Sequence, residues 1–124
     1  MSLAADLSAA IKAGAREHQE LVDAALCVGQ WLADQGMPGR WDRVRPREVL
    51  RGLDFLSRPE RERFLFSLVG LLGHGALLGH IPPAAAKQSI DEAASASGEE
   101  AVRVFARATS AQLGAMMASM VAFA

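Results

Sequence analysis

Between Phe64 and Ala86 the chain runs for 23 residues without an Asp, Glu, Lys or Arg. Arg58, Arg61 and Arg63 stand immediately before it, so the boundary is abrupt. Such a stretch has to be covered by a protein core, a partner or a bilayer, because apolar surface left in water costs free energy. Its length is adequate for a membrane span, and arginines at one end fit the positive-inside rule. Its composition is not: Ser67, His74, His80, four glycines and the Pro82-Pro83 pair interrupt it, and the continuous apolar part, Phe64 to Leu72, is far too short to cross. The expectation is therefore a buried hairpin of helices, with a membrane-associated accessory protein as an alternative.

A chain of 124 residues is the size of one domain and buries roughly two thirds of its unfolded surface, so one core over residues 1–124 suffices. The hydrophobic fraction of 51% argues against disorder. A single cysteine, Cys27, cannot form an internal disulfide. Together with an N-terminus that carries Asp6 and has no basic region, this points to a cytoplasmic setting.

Helical periodicity dominates. From Leu3 to Gln35, Leu7, Ile11, Ala15, His18, Val22, Ala25, Gly29 and Leu32 recur at steps of three and four, and Leu21, Leu26 and Trp31 widen the stripe. One long amphipathic helix is expected, ended by Gly36, Pro38 and Gly39. After a loop from Met37 to about Arg45, Pro46 suits the first turn of a short helix with Val49, Leu50, Leu53, Phe55 and Leu56 on its apolar side. Ser57 and Glu60 have the spacing of a capping box, so the next helix starts at Arg58. It enters a glycine series, Gly70, Gly73, Gly75 and Gly79. Each interior Gly costs a helix about 1 kcal/mol relative to Ala, so a kink or interruption is expected between Gly73 and Gly79. The small-residue spacing of Gly75 and Gly79 suits tight packing inside the domain.

A helix is expected from Pro83 to Ala94, then a loop from Ser95 to Gly98. Ser97 and Glu100 repeat the capping-box spacing ahead of a last helix from Glu99 to about Phe123. There Val102, Phe105, Thr109, Leu113, Met116, Met120 and Phe123 share one stripe. No alternating segment of strand length occurs.

The net charge of -1 conceals a polarity. Residues 1–39 hold Lys12 and Arg16 against Asp6, Glu17, Glu20, Asp23 and Asp34, whereas residues 40–63 hold eight arginines against five carboxylates. An acidic first segment and a basic second one complement each other within a fold or across a dimer. The arginine segment, with Trp41 and two short helices joined near Ser57, also suits nucleic acid through Arg43, Arg45, Arg47 and Arg51 in a helix-turn-helix-like arrangement. Against this, carboxylates are interleaved, with Glu48 and Arg51, and Arg58 and Glu62, at pairing distance along a helix.

Catalysis has little support. His18 lies on the apolar stripe, away from Glu17 and Glu20, and His74 and His80 do not share a helical face. No zinc-ligand spacing, Walker loop or dinucleotide fingerprint is present, and Cys27 among Leu26 and Val28 resembles a small buried residue. No catalytic residue, metal or cofactor is expected. The starts around Arg45-Pro46 and Ser57-Arg58 have the look of generic bacterial helix starts, without resemblance to a particular family.

The sequence thus predicts an all-α, single-domain bundle of four to five helices, with a long N-terminal helix and a glycine-interrupted central hairpin. Its expected role is a non-catalytic interaction or oligomerisation module, a homodimer or an accessory or regulatory partner of another protein. Contact candidates are Leu21, Val22, Leu26 and Trp31 of the first helix and Met116, Met120 and Phe123 of the last. Nucleic-acid binding and membrane association stand as alternatives, and a small-molecule pocket lined by His18 and Trp31 is a further one.

Overall fold

The structure, a computed structural model, describes residues 16–122, with side chains from 19 to 120. Five α-helices and no strand occur among them: α1 (Arg16–Asp34), α2 (Pro46–Arg51), α3 (Arg58–Leu77), α4 (Pro83–Ala96) and α5 (Glu100–Ala122). A 3-10 turn, Trp41–Arg43, lies between α1 and α2. The all-α bundle expected from periodicity is what forms. The portion of the first helix placed at residues 3–15, the side chain of His18, and Phe123 lie outside the described residues.

The helix ends follow local chemistry. At Ser57, the hydroxyl accepts from Glu60 N at 3.4 Å and the Glu60 carboxylate accepts from Ser57 N at 3.1 Å, completing the capping box at the start of α3. Pro46 and Pro83 occupy first-turn positions of α2 and α4, where no N–H is missed. α1 and α3 close in the same way. Gly36 and Gly79 adopt φ of 73° and 79°, Met37 N donates to Leu32 O, and His80 N donates to Gly75 O, each at 2.9 Å. This is the Schellman arrangement, which satisfies carbonyls that the helix end leaves open and needs a residue without a Cβ penalty.

The interruption expected between Gly73 and Gly79 falls only at the end of that interval, because α3 runs unbroken through Gly70, Gly73 and Gly75 as far as Leu77. Close packing replaces the break. A Cβ on Gly70 would lie 3.1 Å from Leu21 Cδ2 of α1, and one on Gly73 would lie 3.0 Å from Thr109 Cγ2 of α5. These two glycines let α1 and α5 approach the α3 backbone, and the dispersion attraction of that close approach offsets the poor helix propensity.

α3 is the central element and packs on α1, α4 and α5; α4 and α5 form the most extensive pair, and α2 rests on α4. Leu65, Leu68, Val69, Leu71 and Leu72 of α3 are almost wholly buried with Val28 and Leu32 of α1 and Ile81 and Ile90. The charge-free run therefore lies largely inside the bundle, although Phe66, Leu77 and Leu78 remain exposed. No described helix is long and apolar enough to cross a membrane.

Polar links fix the helix order. Ser89 Oγ donates to Val44 O at 2.8 Å, seating the 3-10 turn on α4, and Ser110 Oγ donates to Asp91 Oδ1 at 2.6 Å, joining α5 to α4. The second capping box expected at Ser97 does not form. Ser97 Oγ accepts from Glu99 N at 3.1 Å and donates to Glu62 Oε2 at 2.5 Å, because Ser97 to Glu99 are non-helical and α5 begins only at Glu100. Glu62 is thereby held by Ser97 and by Gly98 N, not by Arg58 one turn earlier on α3.

Candidate interaction surface

The sequence-derived contact residues separate once their burial is known. Val22 is packed in the protein's own core, so it is not available to a partner, a correction that follows from its place beside Ala25 on the face turned to α3. Leu26 points the other way and is 61% exposed, among the polar Gln19, Asp23 and Gln30. Leu21 and Trp31 are half-buried against the core, as is Met116, whereas Met120 is 59% exposed near the end of α5.

A different surface brings apolar groups together. Phe66, Gly70, Gly73 and Leu77 share one stripe of α3, since steps of three and four return to the same helical face. Phe66 is 46% exposed and Leu77 69% exposed, at the two ends of a floor made of the two glycines. α1 and α5 flank this floor and make little contact with each other. Leu21 forms one wall over Gly70; Phe105 and Thr109 form the other, with Phe105 stacked on Phe66 at a centroid distance of 4.5 Å. Thr109 Oγ1 donates to Phe105 O at 2.8 Å, which satisfies the hydroxyl while the methyl lies over Gly73. Because Leu21 and Thr109 fill the space over the two glycines and Gly73 is itself buried, the trough is a shallow seam whose exposed groups are Phe66 and Leu77, and Met116 and Met120 follow on the same stripe of α5. Of the predicted contact set, Leu21 borders it, and Met116 and Met120 lie further along the stripe of α5.

Phe66, Leu77 and Leu78 escape sequence reasoning because they sit within the charge-free run, where nothing distinguishes a buried leucine from an exposed one. A signal is present nonetheless: the glycine steps between Phe66 and Leu77 mark the face on which neighbouring helices come close. Phe55, expected on the apolar side of a helix, is 76% exposed in the loop between α2 and α3. α2 stops at Arg51, which leaves Phe55 outside it.

Charged grooves lie on two sides of the N-terminal end of α3. Glu20, Asp23, Glu60 and Arg63 border one of about 400 Å³. The Glu60 carboxyl is held below its ordinary range by hydrogen bonds from Ser57, first the side chain and then the backbone, with a smaller contribution from Arg63. Arg47, Arg51 and Arg61 border a second groove of about 470 Å³. The residues expected to contact nucleic acid are divided between clefts: Arg43 and Arg45 line a polar hollow with Gln88 and Glu92, and Arg47 and Arg51 line the second groove. Arg40 and Arg43 are also engaged by Asp42, at 3.0 and 3.6 Å, and the hydrogen bond from Arg40 is the main reason that the Asp42 carboxyl is lowered. A helix-turn-helix does not form. The helix that would read a groove is α3, which is committed to the core, and α2 packs on α4 rather than on α3.

Among the described residues no group of three or more His, Cys, Asp and Glu side chains is placed to hold a metal ion. His74 is exposed on α3, and His80 lies beyond its end, in the turn to α4. Cys27 is half-buried, and desolvation raises its thiol pKa, which disfavours the reactive thiolate. Trp31 packs against the core, so a pocket shared with His18 has no described counterpart. Comparison with models of protein families, with curated proteins and with solved structures gives no match for the chain.

Proposed function

We propose that this protein is a non-catalytic interaction module that pairs with a second copy of itself through the trough between α1 and α5. The observation that carries the reading is the exposure of Phe66 and Leu77 on one stripe of α3, with Phe105 stacked on Phe66, an apolar strip against which the apolar face of a partner helix can lie. Aromatic and large aliphatic anchors at the centre of an interface supply most of its binding energy. The acidic groove at Glu20 and Asp23 and the basic groove at Arg47 and Arg51 lie apart from the exposed Phe66 and Leu77, so the pairing rests on the apolar groups alone. A single, half-buried cysteine without a disulfide partner in the chain fits a reducing, cytoplasmic location within the same reading.

Sedimentation equilibrium tests the proposal. The wild-type protein is expected to populate a dimer that dissociates on dilution, and Leu77→Asp and Phe66→Asp are each expected to leave a monomer with unchanged helical circular dichroism. A wild-type monomer at every concentration would remove the dimer reading. So would a Leu77→Asp variant that is folded and still dimeric.

A further inference from the structure

The basic groove has a composition that dimer formation does not require. α2 contributes Arg47 and Arg51, the first turns of α3 contribute Arg58 and Arg61, and Leu50 and Ala96 provide an apolar base. Two hollows of about 470 and 220 Å³ adjoin through the shared Leu50, Arg61 and Ala96. The larger falls within the roughly 300–1,000 Å³ typical of small-molecule sites.

The positive charge in this groove is only partly neutralised by the protein. The ion pairs formed by arginines among the described residues involve Arg40, Arg43 and Arg103, and none of the four groove arginines. Arg47 Nη2 donates to Ser95 Oγ at 2.7 Å, a neutral partner that positions the guanidinium without cancelling its charge. Two carboxylates border the hollows, Asp54 and Glu62, and the neutral donors Ser97 Oγ and Gly98 N leave the charge of Glu62 in place. Four arginines against these two carboxylates leave the partly apolar groove with an excess of positive charge, which an anion placed between the guanidinium groups offsets. Gly98 contributes as well: a Cβ there would lie 3.2 Å from Arg58 Nη2, so the glycine leaves room for the guanidinium beside the loop.

We propose that this groove binds a small phosphate-bearing molecule of mononucleotide size. Arginine forks from two helices grip the phosphate oxygens, a geometry suited to bidentate contact, and the remainder of the ligand rests on Leu50 and Ala96. Planar guanidinium groups on separate elements distinguish a compact di-anion from a dispersed polyanion, since their spacing is set by the packing of α2 against α4 and of α3 against the same helix.

Isothermal titration at low ionic strength, with ADP, inorganic pyrophosphate and adenosine as probes, tests the site on the full chain. Saturable binding of ADP is expected, one per chain, with pyrophosphate weaker and adenosine without effect. Arg51→Gln and Arg61→Gln are each expected to weaken ADP by at least about tenfold, the loss of a charge-assisted contact. Arg43→Gln, outside the groove, is expected to change it less than about twofold, because an exposed distant charge contributes little. Unchanged helical circular dichroism and an unchanged oligomeric state in these variants separate this outcome from failure of the dimer reading. Absence of saturable binding by ADP and pyrophosphate overturns the proposal. Equal losses in Arg43→Gln and Arg51→Gln also overturn it, as does binding of random duplex DNA that weakens uniformly with every arginine removed.

Discussion

Glu62 on α3 holds the entry to α5 by accepting from Ser97 Oγ at 2.5 Å and from Gly98 N at 2.8 Å. Glu62 and Ser97 are 35 positions apart, so one carboxylate joins the start of the central helix to the turn before the last one. Ser97 is buried, and with the carboxylate removed its hydroxyl keeps only Glu99 O, at the longer distance of 3.3 Å, as an acceptor. Glu62→Ala is expected to lower stability by about 1–3 kcal/mol, the loss of two hydrogen bonds to a charged acceptor. Glu100→Ala, at the position that the Ser97 spacing singled out, is expected to cost under about 0.5 kcal/mol, because its partner is the exposed Arg103 at 2.9 Å. Urea denaturation of both variants checks the order, and a larger loss in Glu100→Ala would contradict the assigned role of Glu62.

The capping box at Ser57 and Glu60 leads to a second expectation. Ser57→Ala is expected to destabilise the protein by about 1 kcal/mol, the usual value of an N-cap, read from the shift of its urea midpoint.

The same cap carries a pH dependence. The folded-state pKa of Glu60 is lowered by Ser57, so its contribution is present above the unfolded carboxylate range and is lost as pH falls through the folded value. Acid titration of stability should therefore be shallower in Glu60→Gln than in wild type below about pH 4.5, the region where an unperturbed glutamate titrates. Parallel curves for the two proteins would show that the cap has no linkage to protonation.

Gly73 tests close packing. Substitution by Leu drives a side chain into Thr109, whose methyl is already 3.0 Å from the Cβ position, and is expected to cost about 1–3 kcal/mol through overpacking. The loss is expected to shrink in Gly73→Leu combined with Thr109→Ala, which clears the wall of α5. A double variant no more stable than the single one would assign the cost to another cause.

Leu72 is wholly buried in the centre of α3, whereas Leu77, five residues later, is exposed. Leu72→Ala is expected to cost about 2–5 kcal/mol by the loss of buried methylenes and the cavity left behind. Leu77→Ala is expected to stay within about 0.5 kcal/mol in the monomer, as surface changes do. Thermal unfolding at low protein concentration compares the two, and similar losses would mean that Leu77 is covered in the folded monomer.

Much of this architecture could be read from local pattern. Pro46, Ser57 with Glu60, Gly36 and Pro83 announce helix limits through chemistry confined to a few neighbouring residues, and the limits formed where those residues stand. The candidate surface was less legible. Of the predicted contacts, Leu21 lies over Gly70 and Val22 is spent in the core, while the exposure of Phe66 and Leu77 was not read from the pattern. A leucine in a charge-free run reads the same whether it faces a neighbouring helix or open solvent.

The amino-acid sequence by itself determined the helical character of the chain, most helix limits and the burial of most of its charge-free middle. Each follows from periodicity, capping or desolvation acting over one or two turns. Only the tertiary structure decided that α3 passes unbroken through its glycines, that Glu62 turns to Ser97, and that four arginines from two helices converge on one groove. Those outcomes depend on which helices meet and at what distance, a balance of packing between residues tens of positions apart that no local spacing encodes.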